Sequence, residues 1–156
     1  QTCALPILMS RDELHRYRSR TPDTSGSLAH HVEAVSSADA LVFVYPTWWS
    51  GLPAVLKGWL ERVMVPGVAF GFDARNKVVP ALTGVKRIVV ISTYGSPRRY
   101  VALVNDNGRR ILTRALRMSC GWRTRVTALR LFSMDTQDDA GRERHLRRID
   151  SRMRAL

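Results

Sequence analysis

Residues 38–70, ADALVFVYPTWWSGLPAVLKGWLERVMVPGVAF, decide the fold. Ala40 to Tyr45 is a continuous run of apolar, β-branched and aromatic residues, the pattern of a strand buried on both faces of a sheet. From Leu52 the period changes: Leu52, Val55, Leu56, Trp59, Leu60, Val63 and Met64 recur at gaps of three and one, which makes one apolar helix face. Pro53 suits the first turn of that helix and Pro66-Gly67 its end. Strand and helix are joined by YPTWWSGLP, residues 45–53, with two adjacent tryptophans in a loop. An indole ring carries a large apolar area that gains from burial or stacking. Composition leaves two readings: the rings wall a ligand pocket, or they pack beneath the loop or at a subunit contact.

The alternation of periods continues on both sides. Upstream, Ser10 and Glu13 stand at capping-box spacing before a short helix, TPDTSGS (21–27) reads as a loop, and Leu28, Val32 and Val35 line one face of a helix from about Leu28 to Ser37. Downstream, the looser segment GVAFGFDARNKVVPALTGV (67–85) leads into a second buried-looking strand, Lys86 to Thr93, stopped sharply by Tyr94-Gly95-Ser96-Pro97. A helix from about Arg99 to Met118 follows, with Val101, Val104, Ile111, Leu112 and Ala115 inward and Gly108 weakening it. Arg125 to Phe132 is a third strand, alternating enough to lie nearer an edge. Asp138 to Leu156 closes the chain as a helix with Leu146, Ile149, Met153 and Leu156 inward. Strands alternating with helices predict βαβ units and a parallel sheet. The expectation is a single domain over 1–156, with an irregular lead-in at 1–27 and a core at 28–156.

The totals bound the partners. Lys plus Arg outnumber Asp plus Glu by 25 to 13, and the net charge of +12 favours phosphate-bearing partners or anionic surfaces. Many of the basic residues fall between Arg98 and Arg154 at helical spacing without interleaved aromatics, which reads equally as a solvated arginine face. Cys3 and Cys120 form no metal or redox spacing, and no apolar run approaches the roughly 20 residues of a membrane span, so a reduced, cytoplasmic chain is expected. The chain opens on Gln1 rather than Met, and Gln1 to Ile7 (QTCALPI) reads as a processing scar.

In a parallel sheet the binding crevice lies beyond the carboxyl ends of the strands. The loops at Pro46–Leu52 and Tyr94–Arg99 both fall there, offering Trp48, Trp49 and Tyr94 for stacking and Gly51 and Gly95 for close backbone approach. Such a rim suits a flat, mostly apolar ligand with a polar edge.

The segment also resembles the flavodoxin-like NAD(P)H:quinone oxidoreductase family, including its bacterial modulator-of-drug-activity and potassium-efflux ancillary relatives. The resemblance rests on Pro46, Trp48 and Trp49, then Pro53, Ala54, Leu56, Lys57, Gly58, Trp59, Glu61, Arg62 and Val63, and it continues through STYGSP, residues 92–97. It implies a flavodoxin-like parallel sheet with helices on both faces, and a flavin, FAD or FMN, lying along the tryptophan loop. By position it implies Pro46, Thr47, Trp48, Trp49, Gly51, Thr93, Tyr94 and Gly95 as cofactor-binding residues. The implied activity passes hydride from NAD(P)H through the flavin to a quinone-like acceptor. A homodimer is implied as well, with Val63 to Phe72 at the subunit contact.

Two departures qualify it. Animal quinone reductases carry a Tyr and, six residues later, a His after the second loop. Tyr100 matches the first as a catalytic candidate, but the second falls on Asp106, where a carboxylate would not balance a reduced flavin as an imidazolium could. His15, His30, His31 and His145 all read as surface residues. The family also opens with a strand, a phosphate-holding turn, a helix and a second strand, none of which precedes Ala40. The expectation is therefore a family member lacking the first two strands and the helix between them, with impaired flavin binding. The alternatives are a non-catalytic regulatory subunit or remnant, and a basic binder of nucleic acid or another anionic surface.

Overall fold

The computed structural model describes residues 8–19 and 26–155. Helix α1 (Arg11–Ser19) opens on the expected capping box: the Glu13 N–H donates to Ser10 Oγ at 3.2 Å, and the Ser10 N–H donates to Glu13 Oε2 at 2.6 Å. The lead-in is thus partly helical. Residues 21–25 of the predicted loop, Gln1–Ile7 with Cys3, and Leu156 lie outside the described residues. A 3₁₀ turn at Gly26–Leu28 leads into α2 (Ala29–Ser37), which buries Val32 and Val35 beside Leu28 as the spacing predicts.

Strand β1 (Ala40–Pro46) then leads through the tryptophan loop to α3 (Ala54–Val63), and a hairpin of β2 (Phe70–Phe72) and β3 (Val78–Pro80) leads to β4 (Arg87–Thr93). Helices α4 (Arg98–Leu103), α5 (Asn107–Arg110) and α6 (Leu116–Cys120), a π-helical turn at Ile111–Ala115 lying between the last two, precede β5 (Arg125–Leu131). Helix α7 (Asp139–Arg154) ends the described chain.

The parallel sheet has the order β1-β4-β5 among the described residues, with Ala40 opposite Arg87 and Arg87 opposite Arg125. This register sets Leu41, Phe43 and Tyr45 beside Ile88 and Val90 on one face. There they form one core with Leu28, Val32 and Val35, with Leu60 and Val63 of α3, and with Leu112, Leu116 and Cys120. Within the segment 63–72, Val63, Val65, Val68 and Ala69 are buried in this core.

Five expectations are corrected. Strand β1 is not buried on both faces, for its residues alternate, with Val42 at 43% and Val44 at 72% exposure. On the same face Val89 and Leu129 are buried, so among the described residues cover on that side of the sheet stops short of β1, which lies at the end of the strand order. Second, residues 67–85 contain the β2–β3 hairpin, its turn tied by Asp73 Oδ1, which accepts from the N–H groups of Arg75 at 2.9 Å and Lys77 at 2.8 Å. Third, the helix predicted from Arg99 to Met118 is broken at Asn105 and Asp106, both left-handed with φ of 73° and 47°. Fourth, Val55 on α3 is exposed while Arg62 is buried, because Arg62 reaches α1 and pairs with Glu13 at 2.6 Å. Fifth, Leu146 of α7 is exposed and His145 sits partly inward instead, one helical turn before Ile149.

Candidate functional site

The register that pairs Pro46 with Thr93 makes the two rim loops leave the sheet side by side, and the Thr47 N–H donates to the Thr93 carbonyl at 2.9 Å. The first loop then turns back at once. Trp48 and Gly51 exchange backbone hydrogen bonds at 3.3 and 2.7 Å across Trp49 and Ser50, whose φ angles of 46° and 56° are both left-handed. Non-glycine residues in that region cost of order 1–3 kcal/mol each. The turn leaves Trp48 two-thirds exposed and Trp49 fully exposed, so neither ring packs beneath the loop.

The second loop is anchored from below. Its Tyr94 N–H donates to the Leu131 carbonyl at 2.8 Å, and the Tyr94 ring is buried and stacked on Phe132 with centroids 4.9 Å apart. The Tyr94 hydroxyl accepts from Ser92 Oγ at 3.2 Å and donates to Asp106 Oδ1 at 2.9 Å. Asp106 is itself buried, and its Oδ2 receives Arg109 Nε at 2.6 Å and Arg130 Nη1 at 3.3 Å, while the Arg130 guanidinium lies 5.1 Å from the Phe132 ring centroid. Burial, and after it the neighbouring Asp106, raises the Tyr94 pKa, so this phenol is a fixed neutral donor rather than an acid at working pH.

Between the loops lies a cleft of about 60 Å³ lined by Thr47, Ser50, Tyr94, Gly95, Ser96 and Val101. Thr47 Oγ1 is buried here with no hydrogen-bond partner among the described residues. A buried hydroxyl left unpaired costs on the order of 1–3 kcal/mol, a cost that a small shift of the loop bringing a ligand's polar group to it would relieve. The floor is close-packed: a Cβ on Gly108 would stand 2.8 Å from the Gly51 carbonyl carbon, so helix α5 presses directly on the first loop.

Of the residues expected at the site, Thr47, Tyr94 and Gly95 meet in this cleft, while Trp48 and Trp49 stand exposed beside it. Tyr94 gives one ring face to Phe132 rather than to an open rim. Gly51 is the contact for Gly108, and Thr93 supplies its carbonyl to Thr47. Pro46 lines a different, larger groove of about 470 Å³, with Val42, Val44, Pro53, Val55 and Trp59 on the outer side of β1. Tyr100 is half-exposed on α4 and lines neither. His145 departs from the surface reading: its Nε2 is buried without a partner among the described residues, and burial lowers its pKa.

Sequence reasoning missed Ser50, Ser96, Val101, Asp106, Arg109 and Arg130. The pattern carried no signal for Asp106: at helical spacing it falls off the stripe of Val101, Val104 and Ile111, and the break at Asn105 and Asp106 is what turns it inward. Three arginines of α7, by contrast, pair with acids of their own helix: Arg142 with Asp139, Arg147 with Glu143 and Arg154 with Asp150. Among the described residues no cluster of His, Cys, Asp and Glu could hold a metal ion, and no helix is long and apolar enough to cross a membrane.

Comparison with known proteins agrees with this geometry. The chain is 38% identical over 66 residues to NAD(P)H dehydrogenase [quinone] 1 of Rattus norvegicus, covering 42% of this chain and 24% of that protein. It is 32% identical over 78 residues to the FMN-dependent NADH:quinone oxidoreductase of Caldicellulosiruptor bescii, covering 47% of this chain and 38% of the relative. The structure superposes on the NAD(P)H:quinone oxidoreductase from Methanothermobacter marburgensis with a TM-score of 0.73 at 26% identity, covering 92% of this chain and 71% of that one. The chain thus matches well under half the length of these two curated relatives. Residues 5–153 match the family described as having a flavodoxin-like fold. With parallel strands in register, helices between them and a loop cleft at their carboxyl rim, this chain belongs to the flavodoxin-like fold family.

Proposed function

We propose that this protein is a flavin-dependent NAD(P)H dehydrogenase that reduces quinones or similar acceptors. The observation that carries the reading is the unpaired Thr47 hydroxyl in a cleft between two family-matching loops, with Trp48 and Trp49 exposed beside it. A bound FMN or FAD supplies hydride acceptance from NAD(P)H and hydride delivery to the acceptor. The chain's own residues bind and orient. Thr47 Oγ1 and the backbone of Gly95 meet the polar edge of the ring system, and Trp48 and Trp49 close over its apolar area and exclude water. Pro46, Gly51 and Thr93 fix the shape of the two loops, and Tyr100 stands by on α4. Buried Asp106 holds Tyr94, and with it the second loop, in one position. A homodimer, on the strength of the resemblance, and a cytoplasmic setting, on the strength of the cysteine pattern, complete the proposal.

The test is to titrate the purified chain with FMN and with FAD by flavin fluorescence, and to follow NADH and NADPH oxidation with a simple benzoquinone. Flavin binding with quinone-dependent oxidation is expected. Thr47→Val, nearly isosteric, weakens flavin binding roughly fivefold to tenfold, the worth of one hydrogen bond. Absence of both binding and turnover would overturn the reading.

A further inference from the structure

The break between α4 and α5 opens a cavity that the flavin cleft does not use. It measures about 260 Å³, and charged or polar side chains supply most of its wall: Arg98, Asn105, Asp106, Arg109, Arg110 and Arg130. Four arginines and one aspartate line it, a formal excess of three positive charges. Asp106 Oδ1 accepts from Tyr94 and Oδ2 from Arg109 and Arg130, while neither of the other two arginines is paired with it. Arg110 donates to the side-chain oxygen of Asn105, and Arg98 pairs with no carboxylate among the described residues. Each guanidinium carries five N–H donors in a planar fork, and the bonds to Asp106, Asn105 and Thr113 engage only some of them.

The arrangement is built rather than incidental to a basic surface. Arg109 and Arg130 are held by a buried carboxylate, and Arg130 is further fixed against Phe132. The left-handed backbone at Asn105 and Asp106 is what bends the chain around the cavity. Planar, partly desolvated guanidinium forks suit bidentate recognition of phosphate oxygens. The volume is below the ≈300–1,000 Å³ of a whole-ligand pocket and fits one end of a ligand whose remainder lies elsewhere. The cavity lies beside the rim loops: it shares Val101 as a wall with the rim cleft, and Tyr94 lines that cleft while donating to Asp106 of the cavity wall.

We infer that this arginine cavity is a phosphate site, taking a phosphate group of a nucleotide. The identity of the nucleotide rests on the function proposed above, whereas the cavity's affinity for phosphate esters does not. Two sources share this chemistry: the 2′-phosphate of NADPH and the phosphate of the flavin nucleotide.

The experiment measures binding to the full chain by calorimetry with 2′,5′-ADP, 5′-ADP, adenosine, FMN and riboflavin, repeated with Arg98→Gln and Arg110→Gln. Neither of these arginines pairs with Asp106, and unchanged melting curves confirm that the variants fold. Phosphorylated probes are expected to bind at least tenfold more tightly than adenosine or riboflavin, to weaken with added salt, and to lose about tenfold in each variant. A loss confined to 2′,5′-ADP identifies the nicotinamide dinucleotide as the source, and a loss confined to FMN identifies the flavin; either supports the site. Equal affinity for phosphorylated and unphosphorylated probes, or phosphate binding untouched by both substitutions, overturns it. Riboflavin binding that survives while phosphate selectivity is absent would sink this inference alone. Phosphate selectivity without any riboflavin or FMN binding would sink the flavin reading and leave this one standing.

Discussion

Replacing Gly108 by alanine separates two physical effects of opposite sign. Considered only as a helix residue, alanine is favoured over glycine by about 1 kcal/mol, and the substitution should stabilise. The packing says otherwise. The new methyl would stand 2.8 Å from the Gly51 carbonyl carbon, 3.0 Å from its oxygen and 3.0 Å from the Leu52 nitrogen. All three are backbone atoms and cannot rotate away, and Gly51 is itself tied to Trp48 by two hydrogen bonds. Overpacking of this kind costs about 1–3 kcal/mol. Set against the propensity gain, Gly108→Ala should lose up to about 2 kcal/mol, a fall of up to roughly 8 °C in Tm for a chain of this size. Circular dichroism during heating gives the Tm, and tryptophan emission reports on the displaced first loop. A melting temperature equal to or above that of the parent, with an unchanged emission spectrum, would refute the argument that α5 and the tryptophan loop are in hard contact.

Asp106→Asn keeps an acceptor for the Tyr94 hydroxyl but leaves Arg109 and Arg130 without their shared charge, so urea denaturation should show a loss of about 2–4 kcal/mol. Burial alone would raise the Glu13 pKa, but hydrogen bonds from the Ser10 N–H and from Arg62 outweigh it and hold the carboxyl below its ordinary 4.5. The folded value lies below the unfolded one, so this contribution is complete above about pH 4.5 and is lost as pH falls through the folded value. Glu13→Gln should flatten that acid limb in a series of melts. Trp49→Ala should leave stability within about 0.5 kcal/mol, since a fully exposed ring contributes no packing, and any loss of flavin affinity in that variant then belongs to the ligand contact. Burial pushes the Cys120 thiol to about 11, so it should alkylate far more slowly in the native chain than in urea at pH 8.

The parallel sheet was legible because β1, β4 and β5 each carry an apolar run between helical periods, and tertiary contacts reinforce rather than override that signal. The capping box at Ser10 and the inward face of α2 were legible for the same reason: both depend on residues within one or two turns. What escaped depends on partners distant in sequence. Arg62 reads as a solvent-facing helix residue until Glu13 arrives 49 positions away, and Gly108 reads as a weak helix former until Gly51 lies against it. The β2–β3 hairpin was missed because strands of three residues leave no measurable period. At the site, the loop positions were visible from the pattern and the resemblance, but the network beneath them was not. Asp106 gathers one residue from the second loop, one from α5 and one from β5, and no single stretch of sequence displays that convergence.

The open side of β1 bears on how the chain behaves in solution. Val42 and Val44 present apolar surface on a strand that pairs only with β4 among the described residues, with no charged residue between Ala40 and Pro46 to interrupt it. The opposing influence is the charge of +12, which keeps like copies apart through long-range repulsion. Adding salt shortens the reach of that repulsion to about 10 Å at 0.1 M while leaving the apolar edge unchanged. Dilute buffer should therefore favour the monodisperse state, and moderate ionic strength should promote self-association through the exposed strand.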